Sequence, residues 1–167
     1  MEKIIHNGQE GYFYPFFRPG ITCDTILWRR NDDFKIETLI SKRNNEPYKN
    51  YWCIPGGFLE KDETLKQCAI RELKEETTIE IKHSTIEPEQ LLNFLTYYDL
   101  ISDPRGQSVN MFFTCYYDEN PKPTQESSEF KWVSKRIMSD IQNVAHNIIP
   151  HHYDAIMKFF DLMGDTY

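Results

Sequence analysis

The stretch GGFLEKDETLKQCAIRELKEETTI, from Gly56 to Ile79, constrains this chain more than any other. Thr64 reads as an N-cap, and Gln67, three residues on, completes a capping-box pattern. A helix is therefore expected from about Leu65 to Thr77. At 100° per residue, Glu72 and Glu76 lie about 40° apart, and Glu75 lies about 60° to the other side of Glu72. The three carboxylates are thus expected to share one side of the helix, continuing the stripe of Leu65, Cys68 and Ala69 and facing inward. Such a cluster is costly. Like charges at i, i+3 and i+4 repel, and the macrodipole disfavours anions in the last turns. Either the helix end is solvated, or a divalent cation sits among the oxygens; where a phosphate also binds, that cation is usually Mg²⁺.

The flanking chain reads as strands around this helix. Ile21–Arg30 and Lys35–Lys42 form an expected hairpin across Asn31-Asp32-Asp33. Tyr51–Ile54 is a short strand leading into the Pro55-Gly56-Gly57 turn. Ile79–Lys82 starts another strand. Gln90–Leu100 and Ser108–Tyr117 form a second hairpin across SDPRGQ. Asp118–Ser128 is a long polar loop, Phe130–Val133 a short strand, and Ser134 caps a brief helical segment. Tyr153, Ile156, Phe159, Phe160 and Met163 recur at helical spacing in the tail. Residues 1–11 are mixed and expected to be poorly fixed unless they dock. Strands, helix, strands, helix in that order give an α+β fold, a mixed sheet between helical layers, in one domain over residues 1–167.

The net charge of −7 comes with no Lys/Arg block. Nucleic-acid binding, which needs a basic footprint, is not expected. No apolar run approaches the ~18 residues of a membrane span, and the N-terminus lacks a signal-peptide pattern. Four scattered cysteines with no CxxC pair suggest neither a zinc site nor a disulfide framework. A cytoplasmic protein is expected.

In register, Gly57, Glu63, Arg71, Glu72, Leu73, Glu75, Glu76 and Ile79 match the pattern of the Nudix box, over residues 57–79. Thr78 alone departs, standing where that family has a glycine. Because Thr is poorly suited to positive φ, a differently built helix exit is expected. The resemblance implies a Nudix-like α/β/α sandwich and a pyrophosphohydrolase acting on a nucleoside diphosphate linked to another moiety. It implies Mg²⁺, with Mn²⁺ as an alternative, held by Glu72, Glu75, Glu76 and the Gly57 loop. Glu63 would assist, and Arg71 would hold the carboxylates by ion pairing. The general base would be a box glutamate such as Glu76, or a loop glutamate, Glu126 or Glu129.

Thr22-Cys23-Asp24 and Asp103-Pro104-Arg105-Gly106-Gln107 resemble, in kind, elements of the ADP-ribose pyrophosphatase branch. This resemblance implies ADP-ribose or a related nucleotide sugar as substrate, giving AMP and a sugar phosphate. The rivals are a house-cleaning pyrophosphatase for modified nucleoside triphosphates and a non-catalytic nucleotide sensor. Arg105 either contacts the substrate or pairs locally in its turn. Asp24 either joins the site or pairs with Arg105 or a strand neighbour. Tyr97 is taken as a substrate contact that stacks on a base; of Tyr97 and Tyr98, one faces the core. Trp52 is expected in the core. His151 and His152, being adjacent, are expected to point in different directions; these or His146 could line the pocket. The aromatic stretch Tyr12–Gly20 either covers one end of the core, stacks a ring on a base or forms a homodimer contact.

Overall fold

The computed structural model describes residues 3–6, 9–12, 18–81, 92–101, 103–145 and 147–164. Its elements are β1 (Lys3–His6), β2 (Gln9–Tyr12), β3 (Gly20–Arg30), β4 (Ile36–Arg43), β5 (Trp52–Cys53), β6 (Gly56–Phe58), α1 (Leu65–Thr77), β7 (Asn93–Leu100), β8 (Ser108–Tyr116), β9 (Ser127–Val133), α2 (Lys135–Ala145) and α3 (Pro150–Leu162).

β3 is the spine. It pairs antiparallel with β4 and β6, and parallel with β8 from Gly20↔Ser108 to Trp28↔Tyr116. The main sheet runs β5-β4-β3-β8-β7, with β9 paired to β4 and β6 to β3. Residues Thr22–Leu27 are all buried, as expected for a central strand covered on both faces. Alternation sends them to two cores. Cys23 and Leu27 pack with Cys68, Ala69 and Leu73 of α1. Ile26 packs with Met138 of α2 and with Ala155, Ile156, Phe159 and Phe160 of α3. The result is the expected α+β architecture, a mixed sheet between helical layers.

Both expected hairpins form, as do the tail helix and the position of Trp52 in the core. Four local expectations need correction. Lys3–His6 and Gln9–Tyr12 pair antiparallel as β1 and β2, two strands the sequence reading did not include. Gly56-Gly57 is more than a turn, because it pairs with Asp24 and Cys23 as β6. Ile79 and Ile81 form no strand; leaving α1, they plug into the core beneath it. The segment after Ser134 is a full helix of 11 residues. No described helix is long and apolar enough to cross a membrane. Residues 13–17, the centre of the aromatic stretch, lie outside the described residues, as does His146.

Candidate active site

The capping box forms as read. Thr64 Oγ1 accepts from the Gln67 N–H, and Gln67 Oε1 accepts from the Thr64 N–H. The helix thus starts at Leu65, which fixes where each glutamate falls. The buried stripe is Cys68, Ala69, Leu73, Glu76 and Thr77, so its centre lies on Glu76 rather than on Glu72. Glu75, about 100° from Glu76, therefore stands on the rim with 54% of its side chain exposed. The three acids do not all face inward.

Arg71 organises the outer part of the cluster. Its Nε and Nη2 donate to the two oxygens of Glu63, at 2.9 and 3.0 Å, in a fork. Nη1 donates to Glu72 at 2.6 Å and to Glu75 at 3.3 Å. Nη2 also reaches the Phe58 carbonyl, at 3.0 Å. These bonds hold the Glu63 carboxyl down to about 2. Glu72 behaves differently: burial raises it despite Arg71, and the charges of Glu75 and Glu126 add to the effect.

Glu76 points inward, against the turn. Its Oε2 accepts from the Gly56 N–H at 3.2 Å. Burial pushes its carboxyl up to about 8, opposed by that bond and by the Arg43 charge. The turn itself is held on every side. The Ile54 N–H donates to His152 Nδ1 at 2.9 Å, and the Pro55 carbonyl accepts from the Thr25 N–H. A Cβ on Gly56 would lie 2.6 Å from Asp24 Cα and from the Cys23 carbonyl. Gly57 leaves room for the Glu72 carboxylate.

Asp24 accepts from its strand neighbour Thr22 Oγ1 at 3.0 Å, and its other oxygen lies 3.9 Å from His152 Nε2. Burial raises its carboxyl to about 7. Arg105 pairs locally: Nε and Nη2 both reach Asp103 at 2.9 Å, and the guanidinium lies over the Phe58 ring. Asp24 and Arg105 nevertheless line one recess beside the turn, with Arg43, Tyr48, Gly56, Gly57, Asn110, His151 and His152. A second recess shares Tyr48 and His151 and continues to Asp99, Leu100, Ile101 and Pro150. Tyr97 lies apart from both; it is 56% exposed on edge strand β7. Tyr98 is the core-facing member of the pair, packed edge-on against Phe112.

The two histidines converge, against expectation. Their ring centroids are 4.5 Å apart, because both sit in the first turn of α3, where it meets Phe112 and the recess. His151 Nε2 pairs with Asn110 Nδ2 at 3.2 Å, and burial lowers its pKa to about 4. The exit of α1 is also corrected: Thr78 takes the left-handed conformation of the glycine it replaces, φ 61° and ψ 7°, and its N–H closes on the Lys74 carbonyl.

The polar loop separates its two glutamates. Thr124 Oγ1 donates to the Glu76 carbonyl at 3.1 Å and accepts from the N–H groups of Glu126 and Ser127. Glu126 is therefore tethered to the end of α1, near enough to act electrostatically on Glu72 and Glu76. Glu129 lies on β9 and pairs with Lys42 and Lys131.

Among the described residues, no three carboxylate, imidazole or thiol groups are already assembled as a metal cage. The donor set nonetheless fits a hard cation. Glu72 lies against Gly57, its carboxylate in the space a side chain there would fill, and Glu76 is held at the neighbouring Gly56 N–H. Burial raises both carboxyls, Glu72 despite its pair with Arg71, and oxygen donors of this kind suit a hard cation.

The NUDIX domain model matches residues 22–152. An ADP-ribose pyrophosphatase of Methanocaldococcus jannaschii is 31% identical over 112 residues, 67% of this chain and 59% of the relative. The ADPR responsive transcriptional repressor NtrR of Acinetobacter baylyi is 29% identical over 146 residues, 85% of this chain and 53% of the repressor. The chain thus spans between half and three-fifths of these curated relatives. A bifunctional NMN adenylyltransferase/ADP ribose pyrophosphatase of Francisella tularensis, solved with AMP and a Mn ion, superposes with a TM-score of 0.66 at 27% identity. That match covers 90% of this chain and 43% of the other.

Proposed function

The chain belongs to the NUDIX family, and on that premise we propose that it hydrolyses the pyrophosphate bond of a nucleotide sugar, foremost ADP-ribose, to AMP and a sugar phosphate. The observation that carries this reading is the acidic end of α1: every carboxylate of the box is present, locked by Arg71 on one side and by the Gly56 N–H on the other. A sensor that had lost catalysis would have no need of that arrangement.

Glu72, Glu76 and the Gly57 carbonyl would hold a divalent cation, Mg²⁺ or Mn²⁺, with Glu75 at the rim. When bound, the cation neutralises the diphosphate and lowers the pKa of water. The chain's own residues do the rest. Arg71, saturated by carboxylates, keeps Glu63 and Glu72 in place. Glu126 accepts the proton of the attacking water, the water oxygen bonds to phosphorus, and the bridging P–O bond breaks. Asp24 and Arg105 border the substrate recess. A cytoplasmic homodimer through the Tyr12–Gly20 stretch belongs to the same reading.

The test is a substrate panel with Mg²⁺ or Mn²⁺, scored by product. AMP released from ADP-ribose, and its loss in Glu76→Gln, is expected. Pyrophosphate released from modified triphosphates, with no AMP from ADP-ribose, would overturn the assignment. The likeness to the A. baylyi repressor favours one alternative, a sensing role. Tight ADP-ribose binding without turnover would establish that role instead.

A further inference from the structure

The turn at residues 54–57 is bonded to both helical layers. On one side the Gly56 N–H donates to Glu76 Oε2 of α1 at 3.2 Å. On the other the Ile54 N–H donates to His152 Nδ1 of α3 at 2.9 Å. Between them the Pro55 carbonyl accepts from the Thr25 N–H of β3. The start of α3 is itself registered against the strand that enters the turn. The Ile149 N–H donates to the Trp52 carbonyl, and the Trp52 N–H donates to the Asn147 carbonyl.

The bond to Ile54 also fixes the state of the imidazole. A ring nitrogen that accepts carries no proton, so the proton of neutral His152 sits on Nε2. Burial favours that neutral ring, lowering its pKa well below the ordinary 6.5. Nε2 faces Asp24 Oδ1 at 3.9 Å. That same oxygen lies against Gly56, 2.5 Å from where a Cβ there would stand. The ring thus meets one end of the turn directly, at Ile54, and the other through Asp24. Phe112 and His151 close its flanks, edge-on. With Nδ1 committed to the turn and Nε2 turned to Asp24, the ring acts on the site through the turn.

We propose that His152 is a positioning residue: by holding the Ile54 N–H, its Nδ1 sets where the Gly56 N–H and the Gly57 carbonyl stand, and so sets the site's affinity for a divalent cation. The inference rests on the reading of Gly57, Glu72 and Glu76 as the cation site. A buried N–H stripped of its acceptor is costly. The peptide relieves that cost by rotating, and the rotation carries Gly56 off Glu76.

Calorimetric titration of Mn²⁺ into wild type, His152→Asn and His152→Gln tests this. Asn places its side-chain oxygen near the position of Nδ1, whereas Gln places its polar end near that of Nε2. Both lose the ring and should melt at similarly lowered temperatures. Loss of a group that supports a metal ligand weakens the metal about 10- to 100-fold. His152→Gln is expected to weaken Mn²⁺ by that factor, and His152→Asn to recover most of the wild-type affinity. Wild-type affinity in His152→Gln would overturn the proposal. So would equal weakening in both variants, which would make His152 a packing residue. Should either variant not melt cooperatively, the ring ¹⁵N resonances of the wild type decide. An unprotonated Nδ1 that shifts when Mg²⁺ is added upholds the role; a protonated Nδ1, or one indifferent to Mg²⁺, overturns it. A wild type that binds no Mn²⁺ sinks the cation reading and the proposal with it. Mn²⁺ affinity that separates Asn from Gln in a protein inactive on ADP-ribose would overturn the substrate and leave His152 in place.

Discussion

The carboxylate of Glu72 occupies the space of the side chain that Gly57 lacks: a Cβ built on Gly57 would lie 2.5 Å from Glu72 Oε1. The neighbour it would strike is the end of a flexible side chain. Gly57→Ala should therefore fold with a nearly unchanged melting temperature while pushing Glu72 off its position. Activity and cation affinity should fall about 10- to 100-fold, as when a metal ligand loses its support. Gly56→Ala strikes backbone instead, at Asp24 Cα and the Cys23 carbonyl. It should cost roughly 3 kcal/mol of stability. Melting and metal titration of the pair separate the two effects.

Burial holds the Glu76 carboxyl at about 8 in the folded protein, against 4.5 for the ordinary group. Between those values the folded state binds more protons at this group than the unfolded one, so its contribution to stability is full below about pH 4.5 and is lost as pH rises through about 8. The metal-free protein should lose stability on the order of a few kcal/mol from about pH 5 to pH 8. Glu76→Gln should remove roughly half of that slope, leaving a comparable contribution from Asp24, raised from 3.8 to about 7. Adding Mg²⁺ should flatten it in the wild type. Denaturant melts at stepped pH, with and without EDTA, measure all three.

Thr78 is a β-branched residue held at φ 61°. Leaving the left-handed region to a residue with a Cβ costs about 1 kcal/mol, partly offset by the chain entropy a glycine adds to the unfolded state. Thr78→Gly should raise stability by up to about 0.5 kcal/mol and the melting temperature by roughly 1–2 °C. Its hydrolytic rate should not change, since the backbone conformation is already that of a glycine. A drop in melting temperature would show that the threonine is not strained there.

Glu126 and Glu129 are three residues apart and differently placed. Glu126→Gln should abolish most turnover, whereas Glu129→Gln, which loses only exposed pairs with Lys42 and Lys131, should be near wild type. Thr124→Val removes the hydroxyl that ties Glu126 to the Glu76 carbonyl. It should lower kcat about tenfold while leaving KM unchanged. Steady-state kinetics on the best substrate decides each case.

What the sequence revealed was local. Thr64 and Gln67 are three residues apart, and their capping box placed α1 to the residue, hence the register of Arg71 and the glutamates. The inward set was misjudged at Glu75, because burial depends on where β3 lies beneath the helix, not on angular order alone. Arg43 carried no signal at all. Its place on the recess arises only where β4, the turn and α3 meet, and those contacts span about a hundred residues of sequence. The two histidines were misread for a related reason: adjacency on a helix sets their backbone angle, but Phe112 and Asn110 on β8 determine where the rings go. At Thr78, tertiary closure onto Lys74 overrode intrinsic preference.

The bond from the Ile54 N–H to His152 Nδ1 joins residues 98 positions apart. It has a consequence for synthesis. On the ribosome, β3, the turn and α1 emerge early, and the acidic helix end could form while α3 is still unmade. Until α3 arrives, the Ile54 N–H lacks its acceptor and the recess lacks a wall. A nascent chain would thus display the box before it has a working active site. The recess would be complete only once α3 brings His151 and His152 to it.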